Sequence, residues 1–271
     1  MKSYLSLVPI SAKVRKRQNR MTILCVIISI FLVTAIFSVA DMMIRTQSDR
    51  MTGKNGSWHI ELDGISQETA LKIAERDDVV SIGAVTIFNP DGELPYRMDG
   101  KRVVLYGIDE SYLTMNSTGA AEGRFPQGMG EIMLSSNAAR VLQVAVGDTV
   151  TLRTPSGDWD FTVSGLGGVE ESYYSGQYSL MDAYLPRTAF AALMEQNNVH
   201  NLQTSYYVQF TSASKAAKAI PELTAQHNLP ENAVSENTGV MAIAGQSDSS
   251  AAKNVYSLAA VLFVLVLLAG V

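Results

Sequence analysis

The 271-residue chain has 21 basic and 26 acidic residues and a formal net charge of −5 at pH 7. Residues 1–20 hold six lysine or arginine residues and no acid, so the remainder is strongly acidic, which argues against nucleic-acid binding. The single cysteine, Cys25, lies in an apolar run, so an ordinary hydrophobic core rather than a disulfide must stabilise the rest of the chain.

Residues 21–40 form a run without charge and predict a first transmembrane helix. At about 1.5 Å of rise per residue the run reaches roughly 30 Å, the thickness of a bilayer's hydrocarbon core. A cleaved signal peptide is the main alternative, but signal-peptide apolar regions are shorter, at about 7–15 residues. Because basic residues mark the cytoplasmic side of a first helix, we expect residues 1–20 to be a cytoplasmic amphipathic leader and residues 41–254 to be extracytoplasmic.

Residues 41–56 are polar and can continue the first helix as a stalk. A second run without charge, residues 255–271, predicts a second transmembrane helix. Its residues reach only about 26 Å, which is marginal for a crossing, so we expect this helix to be truncated.

Between the two runs, hydrophobic periodicity predicts an α+β domain of mixed sheets with packed helices. Ser66 is the predicted N-cap of a helix that buries Ala70, Leu71 and Ala74, and Asp99-Gly100 predicts a tight hairpin. Strands are predicted at residues 57–62, 79–88, 96–98, 102–106, 131–134, 149–153, 159–164, 183–185 and 202–210. Helices are predicted at residues 66–76, 136–142 and 187–196, and from a cap at Ser214 to a kink or end at Pro221.

The sequence contains no recognisable catalytic, cofactor-binding or metal-ligating set. His59, His200 and His227 are far apart in the sequence, and none has a partner at metal-ligand spacing. Neither a G-x-S-x-G elbow nor a phosphate-binding loop is present. The carboxylate pairs Asp77-Asp78 and Glu170-Glu171 leave a general acid/base pair open, although solvation explains them better. We therefore expect no enzymatic activity and no cofactor in this chain.

A long mobile loop is predicted at residues 165–179, which contain four glycines together with Tyr173, Tyr174 and Tyr178. Tyrosine offers a large apolar face with a polar tip, a composition favoured at binding surfaces. The loop is our candidate contact with a substrate or partner. In the alternative interpretation, it is an insertion whose tyrosines fold back on the domain.

The order of short motifs along the chain resembles that of a known family. The motifs are Gly107-Ile108-Asp109 with Tyr112, Gly123-Arg124-Phe125, Glu131–Ser135, Ala138 with Leu142, Val146–Val150, Phe161–Gly165 and Tyr184-Leu185-Pro186. In this order, after a basic segment and a single apolar helix, they resemble the extracytoplasmic core domain of FtsX-like permeases, also called the MacB-type periplasmic core.

This resemblance implies a membrane subunit of an ATP-binding-cassette (ABC) transporter in a bacterial cell membrane. Its implied partners are a cytoplasmic ATPase that binds ATP and Mg²⁺, a second permease copy or homologue, and membrane lipid. ATP-driven motion would pass through the membrane helices to an outer domain that handles a lipid, peptide or protein. Family members have further membrane helices, so the resemblance also implies that this chain is the N-terminal part of a longer permease.

Two other classes stay open. A membrane-anchored extracellular ligand-binding sensor would need a cytoplasmic helical signalling segment after the second crossing. A membrane-tethered hydrolase would need a nucleophile or metal site that the sequence does not display.

Overall fold

The computed structural model describes residues 16–116, 120–167 and 180–247. Most of the predicted leader, the predicted tyrosine loop from residue 168 onward and the predicted second membrane run therefore lie outside the described residues. Arg50–Ala244 forms one compact unit, and the remaining described residues belong to a second unit.

Helix α1 runs from Lys16 to Asn55 without a break. Its stretch Arg20–Val39 has the length and apolar composition of a membrane span, and none of that stretch is buried. The stretch coincides within one residue at each end with the predicted run at residues 21–40. The helix also continues through residues 41–55, as predicted for a stalk.

The remaining elements confirm the predicted α+β class. In chain order they are β1 (Ile60–Asp63), α2 (Gln67–Ala74), β2 (Val79–Phe88), β3 (Arg97–Met98), β4 (Lys101–Ile108), α3 (Glu110–Met115), β5 (Ala120–Gly123), β6 (Glu131–Ser135), α4 (Ser136–Leu142), β7 (Thr149–Thr154), β8 (Gly157–Gly167), β9 (Leu180–Pro186), α5 (Arg187–Gln196), β10 (Thr204–Phe210), α6 (Ala213–His227), a 3₁₀ turn (Glu231–Ala233), β11 (Val234–Glu236) and α7 (Thr238–Ser247). They divide into two lobes.

The ferredoxin-like lobe consists of β1, α2, β2, β10, α6 and β11. Its strands are ordered β11-β1-β10-β2, and each neighbouring pair is antiparallel. Because α2 links β1 to β2 and α6 links β10 to β11, the lobe has the βαββαβ connectivity of ferredoxin-like folds. Alternation along β1 places Ile60 and Leu62 in the core, where Ile73 of α2 and Leu223 of α6 also lie.

The barrel lobe is inserted between β2 and β10. Its strands form the closed ring β4-β3-β7-β8-β6-β9, because β9 pairs with both β6 and β4. Two of these pairings are parallel, β4 with β9 and β6 with β8. Closure pairs every strand of the ring on both sides, and the interior is filled by side chains such as Leu105, Leu134, Phe161 and Leu185.

The predicted hairpin at Asp99-Gly100 is confirmed. Both residues have positive φ, 45° and 70°, and they connect β3 to β4 in an antiparallel pair. Two consecutive positive φ values belong to the type I′ turn, whose twist matches that of the flanking strands.

Two predictions for the ferredoxin-like lobe are wrong in detail. The strand predicted at residues 57–62 begins only at Ile60, because the preceding residues connect it to α1. Leu71 was expected in the core but is 58% exposed, whereas Ala70 and Ile73, three positions apart on α2, form its buried face. The Ser66 cap is confirmed, since its hydroxyl accepts a hydrogen bond from the Thr69 amide at 3.1 Å.

Helix α6 also differs from its prediction. The cap is Ser212, not Ser214, and its hydroxyl accepts a hydrogen bond from the Lys215 amide. The helix continues through Pro221 to His227. Proline removes one backbone donor, but the turns on either side of it remain packed, since Ala219 and Leu223 are fully buried.

The loop predicted at residues 165–179 is wrong for its first three residues, which are part of a strand. Gly165 and Gly167 belong to β8, which pairs with β5 on one side and β6 on the other. Gly165 suits this position because a Cβ there would overlap the backbone of Arg124. Backbone crowding, not loop flexibility, therefore explains this glycine.

Candidate functional site

The end of α1 is joined to the rest of the Arg50–Ala244 unit by Asn55, Gly56, Ser57, Trp58, His59 and Asn237, which we call the junction. Gly56 ends the helix at a φ of +81°, and its amide donates a hydrogen bond to the Thr52 carbonyl at 2.9 Å. This is a left-handed cap, which glycine adopts readily. A Cβ on Gly56 would also lie 2.7 Å from the Met115 carbonyl oxygen, so the position has no room for a side chain.

Ser57 and Trp58 fix the chain to the elements beside it. The Ser57 amide and hydroxyl donate to the Met115 carbonyl, at 2.6 and 3.3 Å, at the C-terminal end of α3. The Trp58 ring meets the Tyr207 ring edge-on, with centroids 4.9 Å apart. Tyr112 of α3 meets the same ring at 5.0 Å. Helix α1 therefore ends in a packed aromatic cluster.

Asn237 connects several parts of the junction and is only 4% exposed. Its side-chain Nδ2 donates to the carbonyls of Asn55 at 3.0 Å and Trp58 at 2.9 Å. Its backbone amide donates to the His59 carbonyl at 2.9 Å, while its Oδ1 accepts from the Val240 amide in the first turn of α7. One amide group thus closes the end of α1 and caps the start of α7.

Gly239 and His59 complete the junction's packing. A Cβ on Gly239 would overlap the Asn55 side chain, so glycine permits the first turn of α7 to approach the end of α1. The His59 ring is buried, and its Nδ1 accepts a hydrogen bond from the Phe210 amide at 3.1 Å. Burial lowers the pKa of His59, in agreement with a neutral ring that accepts this bond.

The hydrogen bonds of the junction connect backbone carbonyls and amides, either directly or through the side chains of Ser57, His59 and Asn237. An unpaired buried carbonyl costs about 1–3 kcal/mol, so removing the Asn237 amide would leave two carbonyls to find other donors.

A second candidate site, the interlobe cleft, is a cavity of about 720 Å³ lined by residues from both lobes. Asp109, the last residue of the resemblance motif Gly107-Ile108-Asp109, is one of the lining residues. The Asp109 amide donates a hydrogen bond to the Ala84 carbonyl of β2, and the Ala84 amide donates one to Asp109 Oδ2, both at 3.1 Å. Asp109 therefore pairs with part of the β2 edge. Gly107 lies against the Phe190 ring, where a Cβ would collide, so α5 packs directly on β4.

Of the residues singled out from the sequence, Tyr173, Tyr174 and Tyr178 lie outside the described residues. The three histidines are separate: His59 lies in the junction, His200 lines the interlobe cleft and His227 ends α6. Within the part of the chain that the structure describes, no group of three or more His, Cys, Asp or Glu side chains is placed to hold a metal ion.

Sequence reasoning missed the junction. The Asn-Gly pair at residues 55 and 56 is a helix-stop signal that marks where α1 ends. No local signal pairs Asn237 with Asn55, because the two residues are 182 positions apart.

Comparison with known proteins identifies one family model, the MacB-like periplasmic core domain, which matches residues 21–226. Among solved structures, the chain is similar to the periplasmic region of MacB from Actinobacillus actinomycetemcomitans, with 15% sequence identity, 74% coverage of this chain, 97% of that chain and a TM-score of 0.49. It is also similar to a domain from Porphyromonas gingivalis that is named as part of a permease, with 16% identity, 66% and 85% coverage and a TM-score of 0.41. No curated protein matches the chain.

Proposed function

The chain belongs to the family of the MacB-like periplasmic core domain of ABC-transporter-type permeases, and from this premise we propose that it couples ATP hydrolysis by a separate ATPase to motion of residues 41–254. The ATPase binds ATP and Mg²⁺ on the cytoplasmic side. A second permease copy or homologue completes the complex in the membrane lipid. The outer domain acts on a lipid, peptide or protein.

The junction is the observation that carries this proposal. Helix α1 is continuous over 40 residues, about 60 Å at the rise of an α-helix. Only residues 56–59 separate its end from β1, and each makes a hydrogen bond within the Arg50–Ala244 unit. A displacement of the end of α1 is therefore passed directly to β1 and α7, because the connecting residues are held by hydrogen bonds.

Breaking α1 at an exposed position tests this coupling. Thr46→Pro removes a backbone donor in the helix interior, at a cost of about 3 kcal/mol, whereas Thr46→Ala leaves the helix intact. Thr46 is exposed, so neither change disturbs a core. In the full permease with its ATPase, we expect Thr46→Pro to abolish both stimulation of ATP hydrolysis and export or resistance in cells, and Thr46→Ala to preserve both.

If Thr46→Pro leaves both activities intact in a folded protein, coupling through α1 is wrong. Under the competing sensor hypothesis, ligand-dependent signalling would persist in a complex that lacks the ATPase.

The proposed orientation has its own test. With Cys25 replaced by serine, a cysteine at Lys101, an exposed position before the β4 core, should react with a membrane-impermeant maleimide in intact cells. A cysteine at Lys2 should react only after lysis. The reverse pattern would place the domain in the cytoplasm and contradict the proposal.

A further inference from the structure

The interlobe cleft has the dimensions of a ligand site. Its volume of about 720 Å³ lies within the roughly 300–1,000 Å³ of small-ligand pockets. The ferredoxin-like lobe supplies Thr86 and Thr204 to the lining, and the barrel lobe supplies α5 with the loop that follows it. A ligand here would therefore contact both lobes at once.

One wall of the cleft is apolar. Phe190 and Met194 lie on the buried face of α5, and Val199 and Leu202 follow in the next loop, partly exposed. The loop has a defined shape, because the Val199 amide donates to the Met194 carbonyl at 2.9 Å and Asn201 adopts a left-handed φ of 62°. This wall suits one or two aliphatic side chains of a ligand.

A cation with few partners lies at one end of the wall. The Arg187 side chain is 30% exposed, and its Nη1 is 3.7 Å from Asp109 Oδ2, too far for a good hydrogen bond. Its guanidinium carbon lies 6.0 Å from the centroid of the Tyr206 ring. Within the described residues it makes no hydrogen bond, so its donors are available for a carboxylate.

An anion lies at the opposite end of the wall. Glu195 also lines the cleft, is exposed, and has no salt bridge with any described residue. It follows Arg187 by eight positions on α5, which corresponds to about 12 Å along the helix. The Thr86 and Thr204 hydroxyls, which also line the cleft, are 2.7 Å apart and bond to each other.

We propose that the interlobe cleft binds an extended peptide segment of about four residues, with a carboxylate at Arg187, an ammonium at Glu195 and aliphatic side chains against the apolar wall. An extended chain advances about 3.3–3.6 Å per residue, so four residues span the distance between the two charges. The backbone of the segment offers donors and acceptors for the hydrogen-bonding capacity that the threonine hydroxyls keep beside their mutual bond. This inference rests on the proposed transporter function and names its substrate class.

Binding of a short peptide to the full chain in lipid nanodiscs tests the proposal. The probe is the tetrapeptide Gly-Leu-Val-Leu with free termini, titrated by calorimetry beside its C-terminal amide and its N-acetyl form. We expect each blocked peptide to bind about tenfold more weakly, as expected for the loss of one charge-assisted hydrogen bond. A hexapeptide with both termini blocked and with internal Lys and Asp side chains four positions apart tests the source of the peptide. If the source is a segment of a larger protein, the hexapeptide should bind as well as the free tetrapeptide. If the source is a free peptide, the hexapeptide should bind more weakly.

Two variants assign the ends of the peptide. Arg187→Gln should weaken binding of the free peptide about tenfold and leave binding of the C-terminal amide unchanged. Glu195→Gln should weaken binding of the free peptide about tenfold and leave binding of the N-acetyl form unchanged. Because each variant is compared on two ligands, a general loss of folding cannot imitate the result. Arg140→Gln and Glu75→Gln, at exposed positions away from the cleft, should change neither affinity.

Equal binding of free and blocked peptides, or no effect of both cleft variants, would overturn the peptide assignment. Tighter binding of glycerol phosphate than of the peptide, lost in Arg187→Gln but not in Glu195→Gln, would also overturn it and assign a lipid headgroup instead. The coupling test at Thr46 uses ATP hydrolysis without added peptide. If the binding experiment fails and the Thr46 experiment succeeds, only the proposed substrate class is refuted.

Discussion

The junction and the interlobe cleft lie in the same compact unit and use polar side chains in opposite ways. In the junction, Asn237 is buried and its side chain bonds to three backbone groups, so each polar atom has a defined partner. In the cleft, Arg187 is partly exposed, and its Nη1 lies 3.7 Å from the Asp109 carboxylate. Polar groups whose hydrogen bonds are all made hold the connected backbone segments together, so a displacement of one segment moves the other. Polar groups that lack hydrogen-bond partners can instead bind a ligand. Under our two proposals, the junction transmits displacement and the interlobe cleft recognises a ligand.

The largest expected effect follows from removing the junction's central amide. Asn237→Ala should lower the free energy of unfolding by about 3 kcal/mol, because the Asn55 and Trp58 carbonyls lose a donor and α7 loses its cap. Thermal unfolding of the full chain in detergent, followed by circular dichroism, measures the change. Asn137→Ala, which removes a bond to exposed Arg140, is the control and should cost much less. Equal losses in the two variants would contradict a special role for the junction.

Gly56 allows the same site to be tested without removing a polar group. Gly56→Ala forces a side chain into a left-handed conformation against the Met115 carbonyl and should cost about 1–2 kcal/mol or more. Gly53→Ala, one turn earlier in α1, meets nothing within 4 Å and should instead stabilise the helix by up to about 1 kcal/mol. Chemical unfolding of the pair checks the opposite signs, and a stabilising Gly56→Ala would show that α1 does not need this cap.

His59 makes the stability of the junction dependent on pH. Burial lowers the pKa of His59 below its ordinary value of about 6.5, so the unfolded chain binds the proton more readily than the folded one. The contribution of a neutral His59 is therefore present above about pH 6.5 and is lost as the pH falls below it. His59→Asn should flatten this part of the stability profile between pH 7 and 5. Identical profiles for wild type and His59→Asn would refute the assignment.

The smallest expected effect lies in the cleft. Arg187→Gln should change the free energy of unfolding by less than about 0.5 kcal/mol, since a partly exposed ion pair at this separation contributes little. Calorimetric melting beside Asn237→Ala checks this directly. A loss as large as that of Asn237→Ala would remove the distinction between the two sites, because Arg187 would then be a structural residue.

Acid should also act outside both sites, at Glu131. The Arg124 guanidinium, together with the amides of Gln127 and Gly128, lowers the pKa of Glu131 to about 2. Its contribution to stability is present above the ordinary value of about 4.3 and is lost as the pH falls from there toward 2. The His59 experiment should therefore stay above pH 5, where this carboxylate is ionised in the folded and mostly in the unfolded chain.

Local patterns were sufficient for much of the fold. The bounds of β2, α4 and α5 agree with those predicted, because each element begins and ends at a strong local signal such as the turn after Phe88 or Pro186 before α5. The order of short motifs also sufficed for the family, which the match over residues 21–226 supports. Where local preferences were weaker, as at Leu71 or Ser214, packing against distant elements decided the outcome.

The amino-acid sequence by itself determined the apolar span, the α+β class and the bounds of elements such as β2, α4 and α5, since these depend on composition and on neighbours within a few positions. Only the tertiary structure decided that β9 closes the barrel through β4, that Asn237 holds the end of α1, and that Arg187 and Thr86 line one cleft. Each of these depends on groups that are distant in sequence. No local preference specifies such a pairing, and it becomes favourable only when the folded chain has brought the groups together and excluded water from them.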